Sequence, residues 1–557
     1  MPTKPTSETP DVYGAYPRLT EAQLAALGGL GQRRVVRPGD ALFTEGERNC
    51  DFFAILDGTV AVIEARGAPG ERVLSVHGRG RFLGEVGLLT GQAALYSAVA
   101  TQATQVLAVP VARLRELVAS DAALGDLILR AYLIRRSILI SLGVGVRIIG
   151  SRYSPDTRRL RDFAARNRIP ARWLDLETDP AAAQMLAQLG VPPGDTPLVI
   201  LYGRQLLRNP GNAELARALG LPDPASPEAT CGLLVVGAGP AGLSAAVYGA
   251  SEGLETVIID GVATGGQAGT SSRIENYLGF PSGISGGELA ERAVIQARKF
   301  GARFAVPAEA TAIEQRDGRF TIELADGTSV TASAVVVATG ARYRRLDVPR
   351  LAHFEKTSVY YAASQAEAQF CRNDPVAVVG GGNSAGQAVV FLAEHAPGVS
   401  LIVRERDLSE GMSRYLISQV ERLANVAVLL HTEVRELLGD QMLDGVVVAD
   451  NQSGARRTVP ARALFVFIGA MPCTGWLGGL ADLDDRGFVR TGPDAGQADG
   501  AEDGWAPSLL ETSRPGMFAV GDVRSGSTKR VAAAVGEGAM AIRLAYERMR
   551  SGPSGGD

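Results

Sequence analysis

The sequence predicts a multidomain chain: an N-terminal β-barrel or jelly roll with helices, an α/β unit in the middle, and a C-terminal pair of Rossmann-like βαβ units. Three observations predict it. Short alternating apolar runs, separated by Gly, Asp and Pro turns, fill residues 19–145. Strand and helix signals alternate through residues 146–222. Two glycine-rich turns, Gly237-Ala238-Gly239-Pro240-Ala241-Gly242 and Gly380-Gly381-Gly382-Asn383-Ser384-Ala385, each follow an apolar run and open a helical pattern. At 557 residues the chain has room for roughly three or four separate cores.

The N-terminal runs VVRPGDALFTEG, DFFAILDGTVAVIE, RVLSVHGRGRFLGEVGLL and QVLAVP read as barrel strands, with a helical stretch from Val111 to Leu142. The start, MPTKPTSETP, and the tail, SGPSGGD, lack apolar residues to pack, so residues 1–18 and the C-terminal end are expected to be disordered. In the middle unit, Ser154 precedes Pro155 at a predicted helix start, where a hydroxyl caps the first turn. Linkers fall at 143–147 and at DPASPEA. The C-terminal part divides into 230–345, 346–464 and 465–550.

In each glycine-rich turn the first glycine permits the tight bend and the second lets the backbone approach a pyrophosphate. The helix N-terminus then offers free N–H groups to that anion. Asp260 ends the next strand, where an acid binds ribose hydroxyls. VVVATG ends at Gly340, and MFAVGD places Gly521 and Asp522 after another buried strand. Two such turns in one chain point to two dinucleotides and to electron transfer between them.

These segments, with GGQAGTSSRIENYLGFP between the turns, resemble the bacterial thioredoxin reductase family of flavoproteins over residues 229–548. The resemblance implies an FAD domain made of 230–345 and 465–550, interrupted by an NAD(P)H domain at 346–464, with FAD held by Gly237, Gly239, Gly242, Asp260, Gly266, Gln267, Asn276, Gly340, Gly521 and Asp522. It implies NADPH at Gly380, Gly382, Asn383, Ser384 and Ala385. Arg404, Arg406 and Arg414 are the candidates for pairing with its 2′-phosphate. The family has His-Arg-Arg where this chain has Val403-Arg404-Glu405. The acid could accept a ribose hydroxyl instead, which keeps NADH as the alternative; a solvated charged turn is the plain structural reading. Gln267 and Tyr361 are the candidates beside the flavin and nicotinamide rings.

The chain departs from the family where thiols are needed. Family members that reduce thioredoxin carry Cys-x-x-Cys before the second turn; here the stretch is Tyr360-Tyr361-Ala362-Ala363-Ser364-Gln365-Ala366. The four cysteines, Cys50, Cys231, Cys371 and Cys473, form no C-x-x-C. Cys371 is either a lone redox thiol or a buried structural cysteine. Residues 146–222 resemble a thioredoxin or glutaredoxin fold, with Ser154-Pro155-Asp156-Thr157 in place of Cys-Pro-x-Cys and Thr196-Pro197 at the cis-proline place. This reads as a redox-dead unit kept for docking or rigidity. Flavin chemistry itself needs no protein thiol. The expected activity is therefore hydride transfer from NADPH to FAD and onward to an unidentified acceptor, possible classes being a thioredoxin-like or a ferredoxin-like protein. A one-electron donor resembling ferredoxin-NADP reductases and a flavin-based redox sensor are the alternatives.

Residues 19–145 resemble the cyclic nucleotide-binding domain of catabolite-activator-type regulators. Gly84-Glu85-Val86-Gly87-Leu88-Leu89 matches the start of the phosphate cassette, with Glu85 placed for the ribose. The family's phosphate-binding arginine aligns with Leu95. Losing that charged partner removes roughly 2–3 kcal/mol, so tight cAMP or cGMP binding is not expected. The helix to Leu142 is a candidate for pairing two chains into a homodimer. A net charge of −4 gives no nucleic-acid or membrane footprint, and no residue cluster reads as a metal site. LILRAYLIRRSILISL is interrupted by Arg130, Arg135 and Arg136 and is no membrane span. Few cysteines and no leader pattern point to the cytoplasm.

Overall fold

The computed structural model describes residues 7–48, 50–68, 70–84, 86–221, 228–271, 273–355, 357–361, 363, 367–368, 373–496 and 506–551. The chain forms two compact units. One comprises residues 1–226 with 261–263 and 294–308; the other comprises 227–260, 264–293 and 309–557.

In the first unit, two antiparallel sheets make the expected barrel-like sandwich. One orders Gln32–Val36, Thr104–Val109 and Phe52–Asp57; the other orders Ala41–Phe43, Ser97–Ala100, Val60–Glu64 and Arg72–His77. Their facing side chains, including Phe43, Phe53, Ile55, Val62, Leu95 and Tyr96, form one core. The predicted helical stretch from Val111 to Leu142 consists of two helices, Val111–Ser120 and Ala122–Leu142. Asp121 divides them: its backbone is extended and its carboxylate accepts the N–H of Leu124 as an N-cap. Arg135 and Arg136 are buried rather than solvated. Arg135 donates to the carbonyls of Ala15 and Gly84, and Arg136 to Arg168 O and Gln92 Oε1, which satisfies charge that burial would otherwise make costly.

The middle segment runs strand, helix, strand, helix, two strands, helix. Its sheet orders Gln205–Arg208, Leu198–Leu201, Val146–Gly150 and Ala171–Asp175, with only the last pair parallel. The Thr196-Pro197 bond is cis. Ser154 caps helix Pro155–Arg166 by accepting the N–H of Thr157 at 3.2 Å, and Thr157 is buried behind it.

The second unit carries two sheets built around parallel strands, and the central apolar runs are buried on both faces; the first sheet is extended by the antiparallel strands Arg319–Leu324 and Ala310–Arg316. Thr256–Ile259, Glu228–Val236, Ser329–Val337 and Met517–Ala519 pair in parallel in that order. Val359–Tyr360, Ala463–Val466, Val376–Val379, Val399–Ile402 and Val426–Leu429 do the same. Ala341–Tyr343 and Ala470–Pro472 run antiparallel to each other between the two. The first sheet thus receives its last strand from beyond the second, the interrupted arrangement the sequence predicts. Both glycine turns lie at carboxyl ends of central parallel strands, where such sheets bind nucleotides.

Candidate dinucleotide sites

Each turn is fixed by what a side chain would strike. Gly237 has φ +108°, and an added Cβ would lie 2.3 Å from Ala338 O. At Gly242 the clash would be with Gly237 O at 1.8 Å. These two positions admit only glycine because protein backbone fills the space. Gly239 differs: the nearest atom to an added Cβ is Gly266 Cα at 3.9 Å. The second glycine therefore faces an open cradle at the start of helix Pro240–Ser251, as a passing pyrophosphate requires.

The remaining residues of the first site converge on this cradle. Asp260 accepts the N–H of Ala238 at 2.8 Å, which fixes its carboxylate against the middle of the turn. Gly265 donates its N–H to Ala238 O at 2.7 Å, and Gly266, at φ +54°, packs on Gly239. Gln267 donates through Nε2 to Ala341 O. Gly340 lies at φ +65°, and its carbonyl accepts the N–H of Cys473. Gly521, at φ +72°, packs against Ala241, and its N–H is taken by Glu537. Glu537 also pairs with Arg524 and accepts from Ser527, so it holds the loop carrying Asp522. Burial raises the Asp522 carboxyl, Lys529 opposes the shift, and Glu537 adds to it. Asn276 is exposed, on a loop beside the Ile274–Ile284 bridge, and forms none of these bonds. Glu537 carries no motif in the sequence, and only the fold reveals its role.

The second turn repeats the pattern. Gly380 has φ +137°, and its Cβ would meet Phe467 O at 2.3 Å. Gly382 opens on a cradle whose nearest atom is Gly411 O at 3.9 Å. Asn383 begins the helix, and its Oδ1 accepts the N–H of Ser413 at 2.7 Å. Ser384 is exposed and Ala385 is buried. The Ser413 hydroxyl is buried with no hydrogen-bond partner among the described residues, an orphan that a bound phosphate oxygen would satisfy. Arg404 pairs with Glu405 at 2.7 Å and Arg406 with Glu410 at 3.4 Å; Arg414 is exposed at the start of helix Arg414–Val420.

The protein's residues thus fit an FAD on the first turn and a nicotinamide dinucleotide on the second. The family model of the pyridine nucleotide-disulphide oxidoreductases matches residues 232–538, more than half of the chain. The chain belongs to this family. The oxidoreductase is 34% identical to the thioredoxin reductase of Treponema pallidum (strain Nichols) over 313 residues, which cover 56% of this chain and 95% of that protein. It is 29% identical to thioredoxin reductase 1 of Saccharomyces cerevisiae over 327 residues, covering 57% and 97%. The crystal structure of T. acidophilum thioredoxin reductase matches with a TM-score of 0.53 at 28% identity, covering 58% of this chain and 99% of that one. A cyclic nucleotide-binding domain model matches residues 33–121. The oxidoreductase is therefore an FAD-dependent module fused to a cyclic nucleotide-binding domain.

Tyr361 directly follows strand Val359–Tyr360. Its hydroxyl donates to Glu355 at 2.5 Å, Glu355 pairs with Arg345, and the ring stacks on Tyr343. Burial and Glu355 raise its pKa, which keeps the phenol protonated. Cys371, Ala362, Ser364, Gln365 and Ala366 lie outside the described residues, as does Glu85. Of the described thiols, Cys50 and Cys231 are buried and Cys473 is half-buried. Burial pushes the Cys50 thiol up to about 12 and also raises that of Cys473, which leaves neither as a ready thiolate nucleophile. In the N-terminal domain Leu95 is buried, and the cavity beside it, lined by Phe43, Asp51, Gly84, Gln92, Leu95 and Tyr96, holds about 30 Å³, space for water-sized groups. No helix among the described residues is long and apolar enough to cross a membrane.

Proposed function

We propose that the oxidoreductase carries reducing equivalents from a nicotinamide dinucleotide on the second turn to FAD on the first, and from there to an acceptor without an internal dithiol. The open cradles at Gly239 and Gly382, set among glycines that the backbone alone forbids to change, carry this reading. FAD, when bound, supplies the hydride and electron chemistry. The chain's own part is to bind and orient. Asp260 and the Gly265–Gly266 loop close on the first turn, Glu537 and Arg524 hold the Asp522 loop, and Gln267 ties its segment to the strand at Ala341.

The relatives are named thioredoxin reductases, which makes a thioredoxin-like protein the first acceptor to test. A ferredoxin-like one is the second. Transfer to a disulfide through a protein thiol pair would need two thiols near the flavin. The sequence places no such pair before the second turn. Stopped-flow mixing with NADPH or NADH should bleach the flavin, and artificial acceptors should reoxidise it. Oxidised thioredoxin should be reduced poorly. Flavin that resists both nucleotides would end this reading. Brisk thioredoxin reduction that disappears in Cys371→Ser would make Cys371 catalytic.

A further inference from the structure

We propose that Glu405 makes the second turn a site for an adenosine ribose that lacks a 2′-phosphate, so that this chain prefers NADH to NADPH. The proposal rests on the assignment of that turn to a nicotinamide nucleotide.

The argument starts from the first turn. There the strand Thr256–Ile259 ends and the next residue, Asp260, sets its carboxylate against Ala238, the middle residue of the bend. In the second turn the residue directly after strand Val399–Ile402 is Val403, which is apolar and fully buried. The carboxylate comes instead from Glu405. Its Oε2 lies 3.0 Å from where a Cβ of Gly381 would stand, and Gly381 is the middle residue of this bend. Two acids, reached at different distances along the chain, therefore sit against equivalent points of their turns. A carboxylate there accepts hydroxyls of an adenosine ribose.

Glu405 is held rather than free to swing away. The carbonyls of Val403, Arg404 and Glu405 accept in turn from Thr432 N at 2.8 Å, Asn451 Nδ2 at 2.7 Å and His431 N at 3.1 Å. Arg404 Nε donates to Glu405 Oε1 at 2.7 Å, which leaves Oε2 as the oxygen toward the turn. A 2′-phosphate brought to this point would set a dianion beside a fixed carboxylate. The cations it would require are turned elsewhere. Arg404 is committed to Glu405, and Arg406 faces Glu410, both with side chains more than 70% exposed. Arg414 remains, exposed on the first residue of its helix, where solvent screens its charge.

The test is calorimetric titration of the yellow holoenzyme with NAD⁺ and with NADP⁺, which bind without turnover, repeated with ADP-ribose and 2′-phospho-ADP-ribose. NAD⁺ should bind about tenfold or more tightly than NADP⁺. Glu405→Gln, which keeps the shape and removes the charge, should narrow or reverse that ratio while FAD content stays the same. Tighter NADP⁺ binding to the unaltered protein, or a ratio that Glu405→Gln leaves where it was, would overturn the proposal while sparing the assignment of the turn. Failure of both nucleotides to bind a protein full of FAD would remove that assignment and the proposal together.

Discussion

At Gly237 and at Gly380 the same local rule applies: the turn residue takes a positive φ, its N–H bonds the end of the neighbouring strand, and a side chain would strike a carbonyl at 2.3 Å. Beyond that point the two turns diverge. The first is covered by Gly265 and Gly266, by Gly521 on Ala241, and by a helix close enough that Gly242 tolerates no methyl group. The second is crossed by Gly411, much as Gly266 crosses the first, but it accepts Ala385 at the equivalent place and leaves Ser384 exposed at the helix start. Tight closure suits a cofactor that stays, and an accessible helix start suits one that exchanges at every turnover. The difference lies in packing around the turns, since their glycine patterns are nearly alike.

The strongest way to break this contrast is to swap the third positions. Gly242→Ala would drive a methyl group into Gly237 O, and we expect loss of FAD and a destabilisation of about 3 kcal/mol or more. Ala385→Gly should cost about 1 kcal/mol and leave the protein yellow. Denaturant unfolding with flavin absorbance measures both, and equal losses would mean that the two helices stand equally close to their turns.

A carboxylate on each cradle comes next. Gly239→Asp should empty the first site, because its charge would occupy and repel the pyrophosphate path. Gly382→Asp should leave flavin content unchanged yet slow reduction by nicotinamide nucleotide at least tenfold. Loss of FAD from the second variant would show that the sites are not separable.

A smaller effect concerns pH. The folded-state pKa of Asp522 is raised, so its contribution to stability is present below the ordinary carboxylate range and is lost as pH rises through its own higher value. Asp522→Asn should remove that slope from the apoprotein and raise its stability at neutral pH, while weakening FAD binding. An unchanged stability profile would mean that Asp522 is not desolvated.

The smallest effect extends the comparison to the N-terminal domain, a third nucleotide-binding architecture. Calorimetry with cAMP should show no binding at micromolar concentration if Leu95, a core residue, stands in the cation's place as the cassette resemblance implies. Sub-micromolar binding would show that another residue supplies the charge.

Much of this was legible in the sequence because it is local. The glycine turns and the Ser154 cap each depend on residues a few positions apart. The helical stretch from Val111 to Leu142 was legible, but its division was not: Asp121 takes a backbone N–H that an uninterrupted helix would use. Arg135 stands out in the sequence only as a break in an apolar run, because its carbonyl partner Ala15 lies 120 residues away, beyond any local pattern. Glu405 was visible as an acid in a charged turn. Its approach to Gly381 was not, because the offset from the strand end differs from that of Asp260.

The helix start at Ser154 has a consequence for engineering. Its hydroxyl already accepts the N–H of Thr157, and the Thr157 hydroxyl is buried behind it without a hydrogen-bond partner among the described residues. A sulfur atom at Ser154 would receive the same N–H and the same helix-end field, the conditions that favour a thiolate. Ser154→Cys with Thr157→Cys would therefore install a vicinal thiol couple on a scaffold whose geometry is in place. Whether it then draws electrons from the flavin would be read directly as free thiol released per nicotinamide oxidised.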